Sequence, residues 1–174
     1  MEYGGAGLDQ ISYGLIMQEI ERKFLVKNLQ FKKEATNSFE IAQGFLNTHV
    51  ERTVRVRIKG NQGFLTVKGK SNESGTSRFE WETEISVAEA KQLLAICEKG
   101  IIEKIRYNIP YGNHIVEVDE FFGDHDGLII AEVELQHENE AFLKPDWLGK
   151  EVPGQTKYYN SQLSKKPYKT WRYE

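Results

Sequence analysis

The chain has 174 residues, enough for one domain with a hydrophobic core. Its net charge of −3 at pH 7 argues against a protein that coats nucleic acid, because such domains are usually basic. No apolar run approaches the ~20 residues of a membrane span. The single cysteine, Cys97, cannot form an internal disulfide and favours a reducing, cytoplasmic setting.

Residues 1–16 differ from the rest of the chain. They are glycine-rich and lack the positive and apolar regions of a signal peptide. Met17 immediately precedes the first patterned stretch. We therefore expect residues 1–16 to be a flexible extension and residues 17–174 to form one domain.

The first patterned stretch, Gln18–Val26, alternates as a β-strand with two unlike faces does. Glu19, Glu21 and Lys23 share one face. Two carboxylates at this spacing can share a hard divalent cation, and the amine can hold a phosphate bound to that cation. A solvated outer face explains one such strand equally well, so the other strands must decide.

The first half continues with a polar stretch at residues 28–37, which predicts a loop with a short helix. Three strands are then predicted, at residues 39–46, 52–59 and 64–70. Glycine and asparagine in residues 60–63 predict a tight hairpin between the last two. Arg55, Arg57 and Lys68 fall on the charged faces of these strands, whereas Lys59 and Lys70 lie near strand ends, where we expect them to be solvated.

The second half repeats this order of elements. Residues 79–85 predict a strand with three glutamates on one face, namely Glu80, Glu82 and Glu84. Ser86 and Glu89 form a capping box that predicts a helix ending near Gly100, with Cys97 buried on its apolar face. Three more strands are predicted around residues 104–109, 116–119 and 131–135. Each half therefore reads β-α-β-β-β.

The charged face recurs in nearly every predicted strand. It is basic on some strands and acidic on others, whereas solvated faces normally mix polar residue types. Eight antiparallel strands can close into a barrel wide enough for one small ligand. We therefore predict a β-dominated α+β fold, a closed eight-stranded antiparallel barrel with charged faces inward and helices outside. A polyphosphate bound to Mg²⁺ or Mn²⁺ would satisfy both kinds of charge.

The sequence resembles the CYTH domain, the triphosphate tunnel metalloenzyme superfamily, from about Met17 to Tyr168. The resemblance is carried, in order, by the ExExK signature at Glu19, Glu21 and Lys23, then Arg55-Val-Arg57, Lys68, Ser77-Arg78 with Glu80 and Glu82, Glu103-Lys-Ile-Arg-Tyr107, Glu117-Val-Asp119 and Glu132-Val-Glu134. ExExK alone is permissive, but the ordered set is specific. One departure is Thr156-Lys157, where similar proteins often have a basic pair.

The resemblance implies metal-dependent hydrolysis of inorganic triphosphate, as in the small bacterial members. It implies metal binding by Glu19, Glu21, Glu117, Asp119, Glu132 and Glu134. It implies phosphate binding by Lys23, Arg55, Arg57, Lys68, Arg78, Lys104, Arg106 and Lys157. Lys104, whose pKa should fall among neighbouring cations, and Glu82 are the candidate catalytic residues. A different carboxylate or a metal-bound hydroxide remains an equal alternative as the base, and Glu80, Glu82 and Glu84 could instead ligate metal or orient cations.

Two further functions stay open on this scaffold, a class IV-type adenylate cyclase and a thiamine triphosphatase. A non-catalytic polyphosphate-binding protein is the alternative from another class, although such a protein has no use for the acidic residues. The expected partner is a small-molecule triphosphate, with no membrane or nucleic acid, and a homodimer is left open.

Overall fold

The computed structural model of the protein describes residues 18–74 and 76–171. The predicted extension at residues 1–16 lies outside these residues. In the part of the chain that is described, no helix is long and apolar enough to cross a lipid bilayer.

The described residues form nine strands and six short helices. The strands are β1 Gln18–Val26, β2 Asn37–Asn47, β3 Arg52–Lys59, β4 Gln62–Ser71, β5 Ser77–Ile85, β6 Ile102–Tyr111, β7 His114–Phe121, β8 Ile129–Glu134 and β9 Leu148–Glu151. The α-helices are α1 Phe31–Glu34, α2 Val87–Ala95 and α3 Asn160–Leu163. The 3₁₀ helices are Gly123–His125, Thr156–Tyr158 and Tyr168–Thr170.

Eight of the strands close into an antiparallel barrel. They follow the order β5-β4-β3-β2-β6-β7-β8-β1, and β1 pairs back onto β5 from Gln18 opposite Phe79 to Ile20 opposite Ser77. The ninth strand, β9, pairs with the C-terminal part of β1, at Phe24 and Val26. The predicted closed barrel and its two β-α-β-β-β halves are confirmed, since β1, α1 and β2–β4 are followed by β5, α2 and β6–β8.

The apolar core lies outside the barrel wall. On β1, Ile20 and Phe24 are 8% and 1% exposed and pack in one cluster with Phe31 of α1 and with Trp147. The alternate residues of the same strand point into the barrel, because side chains alternate across a strand. This arrangement gives the barrel a charged interior and an apolar exterior that other segments must cover.

Residues 152–163, which we call the C-terminal segment, close one end of the barrel. At this end the inward positions are apolar, as shown by Phe121 and Ile130, which pair with Lys104 and Asp119 on neighbouring strands. These apolar side chains pack in one cluster with residues from Val152 to Leu163. The segment thereby supplies a floor to the charged interior.

The helix α2 begins as predicted and ends earlier. The Ser86 hydroxyl accepts a hydrogen bond from the Glu89 N–H at 3.1 Å, and the Glu89 carboxylate accepts one from the Ser86 N–H at 2.8 Å. The predicted end near Gly100 is wrong, because the helix stops at Ala95 and the Glu98 N–H donates instead to the Phe45 carbonyl of β2. Cys97 therefore lies beyond the helix and is half-buried rather than buried.

Two tryptophans test which side of the barrel wall carries the core. Trp147 is 1% exposed and its indole N–H donates to Glu34 at 2.9 Å, whereas Trp81 on the outer face of β5 is 46% exposed. We expect Trp147→Ala to lower the free energy of unfolding by about 3–5 kcal/mol. Trp81→Ala should lower it by less than about 1 kcal/mol. Urea unfolding of both variants measures this, and equal losses would contradict the assignment of the core.

Candidate active site

The barrel encloses a cavity of about 560 Å³ that is lined mainly by charged side chains. Among the predicted phosphate-binding residues, the cavity is lined by Lys23, Arg55, Arg57, Lys68, Arg78 and Arg106. Among the predicted metal ligands, it is lined by Glu19, Glu21, Glu117, Glu132 and Glu134. Residues from both halves of the described chain are thus brought together in one site.

The strand order places most of the acidic and most of the basic residues on different sides of the cavity, the exceptions being Lys23 on β1 and Arg78 on β5. The strands β5, β1, β8 and β7 are neighbours and carry the glutamates, and we call this group the acidic arc. The strands β6, β2, β3 and β4 are likewise neighbours, and we call them the basic arc because they carry Arg55, Arg57, Lys68 and Arg106. The arcs meet at two borders, β4 against β5 and β6 against β7.

Three predicted site residues do not line the cavity. Lys104 and Asp119 are 3% and 1% exposed and bind each other near the apolar floor. Lys157 is exposed, with its ammonium 5.1 Å from the ring centroid of Tyr158 and 5.2 Å from that of Trp171. The structure therefore gives Lys157 no contact with the cavity, and its role in phosphate binding stays a prediction.

Sequence reasoning missed several residues that line the cavity, namely Phe45, Thr53, Lys59, Tyr159, Asn160 and Ser161. The expectation that Lys59 is solvated is wrong, since it lines the cavity with its ammonium 4.2 Å from the Phe39 ring centroid. Its alternation with Arg57 on β3 was a signal that could have placed it there. Residues 159–161 come from the C-terminal segment, whose sequence has no periodic pattern.

Glu19 holds two cations at the border between β4 and β5. The Lys68 ammonium donates to both Glu19 carboxylate oxygens at 2.9 Å, and Arg78 Nε donates to Oε2 at 2.8 Å. Burial raises the pKa of Glu19, but the opposing effect of Lys68 and Arg78 is larger, and the pKa lies well below its usual range. Burial and the neighbouring Arg55 lower the pKa of Lys68. Glu19 is therefore an ionised counter-ion of both Lys68 and Arg78.

Glu82 orients the two arginines of β3. Arg55 Nη2 donates to Glu82 at 3.1 Å, and Arg57 Nη2 donates to the two Glu82 oxygens at 3.1 and 3.0 Å. The Thr66 hydroxyl donates to the same carboxylate at 2.6 Å. Burial and the neighbouring Arg55 lower the pKa of Arg57 to about 10. Glu82 thus offsets only part of the cost of burying the Arg57 charge.

Glu132 and Asp119 hold cations near the other border. Arg106 grips Asp119 with two hydrogen bonds of 2.7 and 2.6 Å and also donates to Glu132 at 2.9 Å. The Lys23 ammonium donates to Glu132 from the neighbouring strand. Burial lowers the pKa of Lys23, but Glu132 and Glu21 raise it above its usual value. Both carboxylates therefore serve as counter-ions inside the barrel.

Glu134 differs from the other glutamates of the acidic arc. Within residues 18–74 and 76–171 it forms no ion pair, and burial and the nearby Glu19, Glu117 and Glu21 raise its pKa. As the side chains stand, no three carboxylate, histidine or cysteine groups of the described residues converge closely enough to hold a metal ion. The crowded carboxylate oxygens nevertheless fit a hard divalent cation, which would relieve their repulsion.

Two arginines that line the cavity have buried hydrogen-bond donors that an anion could satisfy. Among the described residues, buried Arg55 Nε and Arg57 Nε have no hydrogen-bond partner, and neither do the amide nitrogen, a donor, and the amide oxygen, an acceptor, of Gln43. Gln43 is completely buried on β2, and it pairs with Arg57, so both side chains share the inner face of the barrel. A buried donor left unpaired costs about 1–3 kcal/mol, which a ligand with several acceptor oxygens would remove.

The arrangement matches that of a known family. Residues 17–167 match the family model for the CYTH domain. The chain belongs to the CYTH domain family. The family predicted from the ordered motifs is thereby confirmed.

The chain covers most of the length of two curated relatives and of one solved structure. The inorganic triphosphatase of Acetivibrio thermocellus is 46% identical over 156 residues, covering 89% of this chain and 98% of the relative. The inorganic triphosphatase of Nitrosomonas europaea is 36% identical over 153 residues, covering 85% and 97%. The crystal structure of an inorganic triphosphatase superposes with a TM-score of 0.60 at 31% identity, covering 84% of this chain and 93% of that one.

Two buried lysines should have pKa values shifted in opposite directions from the usual lysine value. Burial lowers the pKa of Lys104 to about 8, against the partial compensation by Asp119, so this lysine is an ammonium below pH 8 and a neutral amine above it. Lys23 should stay charged at pH values above the usual 10.5, because Glu132 and Glu21 stabilise its ammonium. NMR titration of ¹³C-labelled lysine side chains measures both. A Lys104 that stays protonated through pH 10 would contradict the electrostatic account.

Proposed function

We propose that this protein hydrolyses inorganic triphosphate with the help of Mg²⁺ or Mn²⁺. The observation that carries the proposal is one enclosed cavity with a basic arc facing an acidic arc. Counter-ion pairing accounts for Glu19, Glu82 and Glu132, but Glu134 forms no ion pair among the described residues and is crowded by other carboxylates, which suits a metal ion rather than an anion. The curated relatives named inorganic triphosphatase support this choice of substrate.

The basic residues are suited to hold the phosphate groups. Each guanidinium of Arg55 and Arg57 can donate two parallel hydrogen bonds to phosphate oxygens, and the unpaired Nε of each is available for this. Lys68, Lys23 and Arg78 add point charges from the neighbouring strands. The volume of about 560 Å³ is typical of a small-molecule site.

The glutamates of the acidic arc are suited to hold the metal. Glu21 on β1 pairs directly with Glu134 on β8, whereas Glu19 and Glu132 lie two residues further along these strands, in opposite directions from that pair. Glu117 lines the same side of the cavity, and Asp119 contributes by fixing Arg106. A bound Mg²⁺ or Mn²⁺ supplies charge neutralisation at phosphate oxygens and lowers the pKa of a bound water.

Hydrolysis requires water to attack a terminal phosphorus in line with the leaving phosphate. Positioning and charge neutralisation by the surrounding cations supply most of the rate in such reactions. Lys104 is the proposed proton acceptor, since its pKa of about 8 leaves a neutral amine accessible near neutral pH. To act, its amine must turn from Asp119 toward the cavity. Glu82 contributes by holding Arg55 and Arg57 in place.

A panel of substrates tests the proposal. Inorganic triphosphate, ATP and thiamine triphosphate are each incubated with the protein and Mg²⁺ or Mn²⁺, and released phosphate and cyclic AMP are measured. We expect the highest kcat/KM for inorganic triphosphate and no cyclic AMP. Tight binding of triphosphate without phosphate release would instead indicate a polyphosphate-binding protein. The only cysteine of the chain supports a cytoplasmic setting for this reaction.

Arg57 separates the role of charge from that of hydrogen-bond geometry. Arg57→Lys keeps the charge but loses the paired donors, so we expect kcat/KM for triphosphate to fall by about tenfold or more. Arg57→Ala should reduce it further while leaving Tm unchanged or higher, because Glu82 offsets only part of the cost of burying the Arg57 charge.

Arg22 provides the matched control for this comparison. It lies on the outer face of β1, where its Nε donates to Glu151 at 2.7 Å, and it does not line the cavity. Arg22→Lys should leave kcat/KM unchanged. Equal effects at the two arginines, or unchanged turnover in Arg57→Lys, would remove Arg57 from the proposed phosphate site.

A further inference from the structure

Four cations that line the cavity are already paired with carboxylates of the same cavity, namely Lys23, Lys68, Arg78 and Arg106. Both oxygens of Glu19 bind Lys68, and one of them also binds Arg78. Glu80 adds a second contact to Lys68 at 2.6 Å. The side chain of Glu19 is only 19% exposed, so little water screens these contacts.

The same arrangement recurs at Glu132. One of its oxygens binds Lys23 and the other binds Arg106, the second contact at 2.9 Å. Lys23 and Arg106 are 7% and 9% exposed. Charge-assisted hydrogen bonds in a poorly solvated cavity are strong, so a phosphate entering this site must displace a carboxylate from each cation that it contacts.

We propose that Glu19 and Glu132 are specificity-determining residues that act as internal counter-anions, so that the cavity rejects metal-free triphosphate and accepts the anion only together with a divalent cation. This proposal rests on the proposed function, because it concerns the same ligand and the same site. The carboxylates compete with phosphate for the cations until a metal engages their oxygens. The metal is then required for binding the anion as well as for hydrolysis.

The proposal follows from the linkage between the two ligands. A metal that engages Glu19 weakens its hold on Lys68 and Arg78, and a metal that engages Glu132 weakens its hold on Lys23 and Arg106. The released cations become available to phosphate. By thermodynamic reciprocity, phosphate that takes these cations leaves the carboxylates available to the metal. Each ligand therefore raises the affinity of the other, even before any direct contact between them is considered.

Glu134 allows the effect of pairing to be separated from that of charge. It lies on the same arc and lines the same cavity, but it forms no ion pair among the described residues. Replacing Glu134 by glutamine removes one negative charge without releasing a cation. Replacing Glu19 by glutamine removes the same charge and releases Lys68 and Arg78 from it.

The experiment measures triphosphate binding without metal. Sodium triphosphate is titrated calorimetrically, in EDTA at constant ionic strength, into the wild type and into Glu19→Gln, Glu132→Gln and Glu134→Gln. We expect Glu19→Gln and Glu132→Gln to raise the metal-free affinity by about tenfold or more, the scale of one charge-assisted hydrogen bond. We expect Glu134→Gln to raise it by less than about threefold, from reduced long-range repulsion alone.

Unchanged or reduced affinity in Glu19→Gln would overturn the proposal, as would an equal increase in Glu134→Gln. Glu19→Gln is the deciding variant, because Glu132→Gln leaves the buried Lys23 with only the more distant Glu21 at 3.6 Å and could unfold the protein. Thermal unfolding checks each variant. Phosphate release by the wild type with Mg²⁺ is assayed separately, so failure of the proposed hydrolysis is distinguishable from failure of this proposal.

Discussion

The structure depends on opposite charges being buried together inside one closed barrel. Arg106, Lys104 and Lys68 are less than a tenth exposed, and each contacts a carboxylate. Removing charges from water costs several kcal/mol per ion, and only a close partner offsets that cost. The strand order supplies the partners by placing the basic arc against the acidic arc at two borders. Neither arc could be enclosed without the other.

The same constraint explains why the hydrophobic core lies on the outside of the barrel. Because the interior is given to charge, the apolar faces of β1 and β6–β8 are covered by α1, by Trp147 and by their neighbours. The cover does not reach β5, where Phe79 and Trp81 remain 47% and 46% exposed. At the barrel floor, the C-terminal segment provides apolar contacts inside the wall as well. The segments outside the eight strands that pack in these two clusters therefore stabilise the barrel.

Alternation of charge along single strands was enough to predict the barrel and which residues point inward. Glu19, Arg57 and Glu132 were each placed correctly because a strand has a fixed period of two. The layer of Lys104 and Asp119 beneath the cavity was not predictable, since depth within a barrel depends on the stagger between strands. The end of α2 was missed because a backbone bond from Glu98 to β2 replaced the helical one. Gln43 escaped notice because β2 carries almost no inward charge.

The closing pairs of the barrel join distant parts of the chain. β1 pairs with β8, more than a hundred residues later, and β1 and β5, the first strands of the two halves, pair with each other. Each half is thus completed by the first strand of the other half. During synthesis β1 can pair with β5 only after the second half has begun, and with β8 only when the barrel is nearly complete, so one of its edges stays open to other chains until then. Such sequence-distant closure slows folding, so the enclosed site is assembled last.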